Sequence, residues 1–197
     1  MKTKTVKQVL SLFIALAISA VCGVSAMAAD TTATGTGTVS GNITVNGSIR
    51  PLTISVTHPL SVDYYIDPNG GPTGAFGAPD ISIKNNTKVP VNVTVSSLKA
   101  TTDCLFTDVD VADKTWASLN AADSKRYIAL GIKAKDSTGW TAGYNTTTHY
   151  AVKDTATLIG ALATNTTGTL TLTASYGLAF DTVVTAKHNL VLLFTLV

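Results

Sequence analysis

Apolar and polar residues alternate with a period of two in one segment after another of this chain. In RPLTISVT (50–57), Leu52, Ile54 and Val56 share one face, with Thr53, Ser55 and Thr57 opposite. Ile81 and Ile83 alternate with Ser82 and Lys84 in DISIKN, and Val89, Val91, Val93 and Val95 oppose Asn92 and Thr94 in VPVNVTVSSL. RYIALGIKAK offers Ile128, Leu130 and Ile132; GTLTLTASY sets Leu170 and Leu172 against Thr169, Thr171 and Thr173. Alternation of this kind marks strands with one face on a core and the other in water. Turn-forming stretches separate them: DPNGGPTG (67–74), KNNTK (84–88) and KDSTG (135–139). The pattern predicts an all-β fold, an antiparallel β-sandwich of about seven to nine strands in two packed sheets. Only WASLNAADSKR (116–126) and DTATLIGALAT (154–164) leave room for a short helix.

Composition agrees. The chain holds 33 Thr, no Glu and a single Gln at position 8. Thr is β-branched and favours strands, whereas Glu and Gln are the usual makers of exposed helix surface.

One segment breaks the half-polar rule. In KHNLVLLFTLV (187–197), Leu190, Leu192, Phe194 and Leu196 point one way, and Val191, Leu193 and Val197 point the other. A strand apolar on both faces calls for cover on both sides, so it is expected as a central or well-covered strand. At about eight apolar residues it is too short for the ~20-residue helix that crosses a bilayer, and no LPxTG-like sorting motif accompanies it.

The amino-terminal residues read as an address. Lys2, Lys4 and Lys7 precede an apolar stretch, Val9 to Val24, and Ala26 and Ala28 follow as small residues at −3 and −1. That order describes a bacterial secretory signal peptide cut after Ala28. The expected organisation is a signal peptide (1–28), a Thr/Gly-rich strand or extension (29–48) and a β-sandwich domain (49–197). Without the three lysines, the 14 Lys and Arg fall to 11 against 12 Asp, so the charge moves from +2 to −1. A balance so near zero gives no reason to expect nucleic acid or an anionic membrane as partner.

The extension has its own regularity. From Ala33 to Ile49 every odd position is Ala, Gly, Val or Ile and every even position is Thr, Ser or Asn. This is longer than the usual strand of 3–10 residues, and at about 3.4 Å per residue it would reach nearly 60 Å. Two readings stand. One is a pair of successive strands, or a strand with a loose lead, bent at glycines. The other is a donor strand that enters a groove of the next subunit, with Val39, Ile43 and Val45 as inward residues and Leu192, Phe194 and Leu196 bordering the groove.

Chemistry-bearing residues are sparse. His58, His149 and His188 are scattered, and no HExxH, GxSxG or phosphate-binding glycine loop occurs. Asp63 and Asp67 form the one tidy carboxylate pair near aromatics, with Asp67 in the first position of a turn as the plainer reading. Asp108, Asp110 and Asp113 in DVDVAD have the alternate spacing that can offer oxygen ligands to Ca²⁺, but lack the Gly and bidentate Glu of an EF-hand, so a solvated acidic loop is the competing reading. Trp116, Trp140 and Tyr144 lie in loop-rich sequence, as a sugar-binding platform or as core plugs. Cys104 is the one cysteine left after signal cleavage. It is read as a small buried residue or as a disulfide partner for another copy. Six Asn-x-Ser/Thr sequons, at Asn42, Asn46, Asn85, Asn92, Asn145 and Asn165, arise readily in so Thr-rich a chain.

THPLSVDYYIDPN followed by FGAPDISIKNNTKVPVNVTVSSL resembles a loose class of secreted surface proteins of Gram-positive, clostridial-type bacteria, over about Ile49 to Leu98. GTGTVSGNITVNGSI is similar to the start of pilin and fibre subunits that exchange strands, although the chain lacks the paired cysteines of usher-type pilins. The resemblance implies surface or matrix structure rather than catalysis and carries over no site residues. The expectation is a secreted structural protein with no enzymatic activity. Its partners would be further copies of itself or other surface proteins, it needs no cofactor beyond a candidate Ca²⁺, and no segment spans a membrane once the signal is cut. An extracellular polysaccharide-binding or adhesion module is the alternative.

Overall fold

A computed structural model describes residues 47–197 apart from 142, together with Thr36. The signal peptide and Val39, Ile43 and Val45 lie outside the described residues. The chain divides into two units, 1–49 and 50–197, and every strand among the described residues belongs to the second.

That unit is built almost wholly of β-structure. Six strands have five residues or more: β4 (Ile81–Asn85), β5 (Val91–Ala100), β7 (Tyr127–Ala134), β9 (Thr157–Leu162), β10 (Thr167–Tyr176) and β11 (His188–Leu196). Five short ones, β1 (Val56–Thr57), β2 (Tyr65–Asp67), β3 (Ala75–Gly77), β6 (Thr107–Asp108) and β8 (His149–Tyr150), bring the count among the described residues to eleven. That exceeds the seven to nine expected, because two- and three-residue pairings leave no periodic trace in the sequence. One sheet runs β1-β4-β10-β7-β6 with β8 also on β7; a second runs β11-β5-β9; β2 and β3 form a separate hairpin. Among the described residues every pairing is antiparallel except β6 with β7.

The alternating residues meet where the pattern places them. Ile81, Ile83, Ile128, Leu130, Ile132 and Leu170 of the larger sheet pack with Val93, Val95, Leu98, Ile159 and Leu162 of the smaller in one core. Burying such side chains contributes about 1.5–3 kcal/mol each. Alternation on β5 slips after Val95, because the register shifts between Val191 and Leu192 of β11 and leaves an extra β5 residue before Leu98. Asp67 opens its turn as expected: its carbonyl accepts from Gly70 N–H at 3.1 Å and its carboxylate from Asn69 N–H at 2.9 Å.

Three expectations need correction. In RPLTISVT only Val56 and Thr57 pair, with Asn85 and Lys84 of β4. Leu52 and Ile54 remain 44% and 37% exposed. The ladder ends because β4 turns away at Asn86, whose N–H still reaches Ser55 O, while Thr87 N–H is taken by the Asn85 side chain. The 154–164 segment is β9, not a helix, because the edge of β5 takes up its backbone and Ile159 and Leu162 enter the core. In 116–126 the short helices do appear, a 3₁₀ turn at Trp116–Ser118 and a helical turn at Ala121–Ser124 capped by Asn120. A further 3₁₀ turn, Val111–Asp113, forms outside both segments.

His149 supplies a pH-dependent element of this core. It is 2% exposed, with Nδ1 3.0 Å from Thr157 Oγ1. Burial, helped by the Lys153 charge, lowers its pKa below the usual imidazole value. A native pKa below the unfolded value of about 6.5 leaves stability intact above pH 6.5 and erodes it as pH falls towards the native pKa. Urea unfolding between pH 7 and pH 5 should therefore show a smaller loss of stability in His149→Asn, whose amide can replace Nδ1, than in the parent. Equal slopes would exclude His149 as the source.

Candidate functional site: an open cleft beside the last strand

Inward residues of β5 and β11 sit side by side but fare differently. Val91, Val93 and Val95 are 0% exposed, while their neighbours Phe194 and Leu192 on β11 are only half-buried and Leu196 is 43% exposed. The core loses its cover at β11. There a cleft of about 700 Å³ opens, with Leu190, Leu192 and Phe194 on one side and Ile81, Leu130 and Leu172 at its base.

The backbone of β11 explains the opening. Among the described residues it pairs with β5 alone, so it is an edge strand rather than the well-covered one expected from its two apolar faces. The far edge of the same sheet is treated otherwise. Beside β9, Trp140 bridges to Leu162 and Thr141 N–H donates to Ala161 O at 2.8 Å, which occupies that edge. Outward-facing Val191 and Leu193 stay 49% and 51% exposed. A long, apolar, unpaired edge is a template for another strand.

The segment His58–Tyr64 lines the cleft opposite β11. His58 stacks on Phe194 with ring centroids 6.0 Å apart. At the other end, Tyr64 Oη lies 3.1 Å from His188 Nδ1. His188 Nε2 lies 3.0 Å from Asp108 Oδ1, and Asp108 Oδ2 accepts from Ala100 N–H at 2.8 Å. In the tautomer whose Nε2 proton is directed at the carboxylate, Nδ1 accepts from the Tyr64 hydroxyl. Burial first, then the neighbouring Cys104 and Asp108, pushes the Tyr64 phenol well above its usual pKa. It is a proton donor held in place, the reverse of an activated nucleophile. The chain Tyr64–His188–Asp108 is a clamp that joins three distant stretches of sequence.

A second cleft of about 570 Å³ continues past Tyr64 and Ala186, between Tyr65, Phe106, Phe180 and Val184. From Val184 to Phe194 the even-numbered residues are partly buried and the odd ones exposed. The approach to β11 therefore keeps the same inward face along both clefts.

The other sequence candidates disperse. Asp108 is engaged by His188 and Ala100; Asp110 caps the Val111–Asp113 turn, accepting from Ala112 N–H at 3.0 Å; Asp113 accepts from Asp110 N–H at 3.2 Å. Among the described residues no three His, Cys or Asp side chains are placed to hold an ion. Trp140 is 8% exposed and belongs to the core, and Tyr144 is half-buried against Gly160. Trp116 is half-buried, with Nε1 donating to Val111 O at 2.9 Å. With Trp140 enclosed, the three make no common face towards a ligand. Cys104 is half-buried with its sulfur 3.4 Å from Lys187 N. Of the predicted assembly residues, Leu192 and Phe194 line the cleft and Leu196 lies at the end of the same strand. His58 and His188, scattered in the sequence, and Tyr64, given no role there, share one site of which their separate positions give no sign.

Among the described residues no helix is long and apolar enough to cross a membrane. Set beside known protein families, characterised proteins and solved structures, the chain matches none of them.

Proposed function

We propose that the chain is a secreted structural subunit that polymerises head to tail, each copy lending its Ala33–Ile49 strand to the cleft beside β11 of the next. The observation that carries this reading is the free edge of β11 above an apolar cleft, in a sandwich whose opposite edge is occupied. The Ala33–Ile49 sequence has complementary properties: one face of small and aliphatic residues for the cleft, the other of Thr, Ser and Asn for water. Backbone hydrogen bonds would supply affinity and alternate side chains the register. A contact between two different surfaces need not close on itself, so it propagates as a filament.

Expression with export tests both parts. The mature protein is expected to begin at Ala29 by mass spectrometry and to form ordered polymers by electron microscopy. Retention of the signal, or a mature chain that stays monomeric at high concentration, would count against the reading.

A further inference from the structure

The cleft has two long walls, and both have backbone to spare. One is β11. The other, His58–Tyr64, runs alongside it in the opposite direction: position 58 meets 194 and position 64 meets 188, six residues apart on each side. The two stretches therefore run in opposite directions along the cleft, with a bend at Leu60 in the first, and they do not pair. Among the described residues β11 bonds only to β5, and no backbone–backbone hydrogen bond involves His58–Tyr64. The segment is held at its ends by side chains, the His58–Phe194 stack and the Tyr64–His188 hydrogen bond. Between them Leu60 is 100% exposed, and only Val62 leans on the core.

Backbone polar groups seek partners. β11 and the bent segment His58–Tyr64 line one apolar cleft without pairing, so both walls offer backbone donors and acceptors to whatever enters it. Resting on the donor-strand reading above, we propose that His58–Tyr64 is the second half of the docking surface. The strand from the neighbouring copy lies between β11 and His58–Tyr64 and pairs with both. Because the walls are antiparallel, the inserted strand runs parallel to one and antiparallel to the other. Its occupant is Ala33–Ile49 of a second copy, because that segment matches the chemistry of the lining. Ile81, Leu98, Leu130 and Leu172 line the cleft with apolar side chains, and Ala33–Ile49 carries Gly35, Gly37 and Gly41 among Val39, Ile43 and Val45 on one face, apolar and small enough to lie against them. Pairing at both edges also turns an open sandwich into a closed one, removing the exposed edge that β11 presents alone.

Hydrogen exchange on the mature chain, compared between monomer and polymer, reads each wall separately. The proposal expects amides in β11 and in Leu60–Asp63 to slow at least tenfold on assembly. Leu60→Pro and Ser61→Pro give a second reading. Both side chains are exposed and neither N–H has a backbone partner, so each variant removes one free donor from this wall. At least one of the two should raise the concentration needed for assembly at least tenfold, with the melting temperature of the unassembled chain unchanged. If β11 amides slow while Leu60–Asp63 amides exchange as before, the second wall is wrong and single-edge donation stands. If polymers form with neither wall protected, or a chain starting at Ser48 polymerises equally well, both the inference and the donor-strand reading fall.

Discussion

A chain that starts at Ser48 should remain monomeric at concentrations where the mature chain polymerises, with its β-sandwich intact. The truncation removes Val39, Ile43 and Val45 and leaves β1 to β11 untouched, since the first strand begins at Val56. Each of the three side chains gives up roughly 2 kcal/mol of burial in the cleft. Much of the gross gain is offset by ordering the strand, at about 1–2 kcal/mol per residue, while the backbone bonds along an edge return about 1 kcal/mol each. A net difference of even ~3 kcal/mol shifts the assembly concentration more than a hundredfold, at 1.4 kcal/mol per tenfold. A synthetic Ala33–Ile49 peptide should then bind the truncated chain one to one and stop there, because the complex has no strand left to donate. Leu192→Asp in the mature chain should block assembly from the receiving side. Size-exclusion chromatography decides the matter. Polymerisation of the truncated chain equal to that of the mature one would end the donor-strand account.

The strands that carry the core were legible because their signal is local. Ile81 and Ile83, Val91 to Val95, Ile128 to Ile132 and Leu170 alternate along the chain and all reach the interior. Periodicity reports which face is apolar, but not which backbone will be there to pair. Leu52 and Ile54 alternate as well as Val56 does, yet β4 has already turned away from them. Leu158 and Ile159 suited a helix turn as readily as a strand, until the edge of β5 claimed them. Edge position is the same problem at the other end of the chain. The apolar residues on both faces of β11 predict a need for cover, which the described residues only partly meet. The site itself was the least visible part. Tyr64 and His188 are separated by 124 positions and His188 and Asp108 by 80, and no spacing rule reaches that far. The Asp108–Asp113 run had the opposite fault. Neighbours in sequence drew attention as a metal site, whereas capping and the His188 bond direct the carboxylates elsewhere.

Asn85→Asp, a change of one atom, should be among the most destabilising substitutions in the protein. Asn85 ends β4, is 0% exposed, and stitches the two sheets together. The two protons of its Nδ2 are shared among Val89 O at 3.0 Å, Leu162 O at 3.2 Å and Ala163 O at 3.1 Å, while Oδ1 accepts from Thr87 N–H at 2.8 Å. Leu162 closes β9, so the amide ties the end of a strand in the smaller sheet to the end of β4 in the larger. This also removes Asn85 from the sequons open to modification in the folded protein. Aspartate would place a carboxylate oxygen against three carbonyl oxygens and take the Asn85 donor from each, although Ala163 O keeps the N–H and hydroxyl of Thr166. No lysine or arginine bonds to this group among the described residues. A buried, unpaired charge set against carbonyl oxygens costs about 3–5 kcal/mol, enough to lower the melting temperature of a domain this size by roughly 10 °C. The pH dependence separates charge from lost hydrogen bonds. Burial among carbonyls raises the native pKa of the new Asp above its unfolded value of about 3.9. The variant is therefore penalised least below pH 3.9, and progressively more as pH rises through that value to the native pKa. Asn85→Ala, which loses the bonds without gaining a charge, should show a penalty of about 2–3 kcal/mol that does not change with pH. Urea unfolding of both variants and the parent at pH 4 and pH 7 makes the comparison. An Asn85→Asp protein as stable as the parent at pH 7 would mean that the amide does not hold the sheets together.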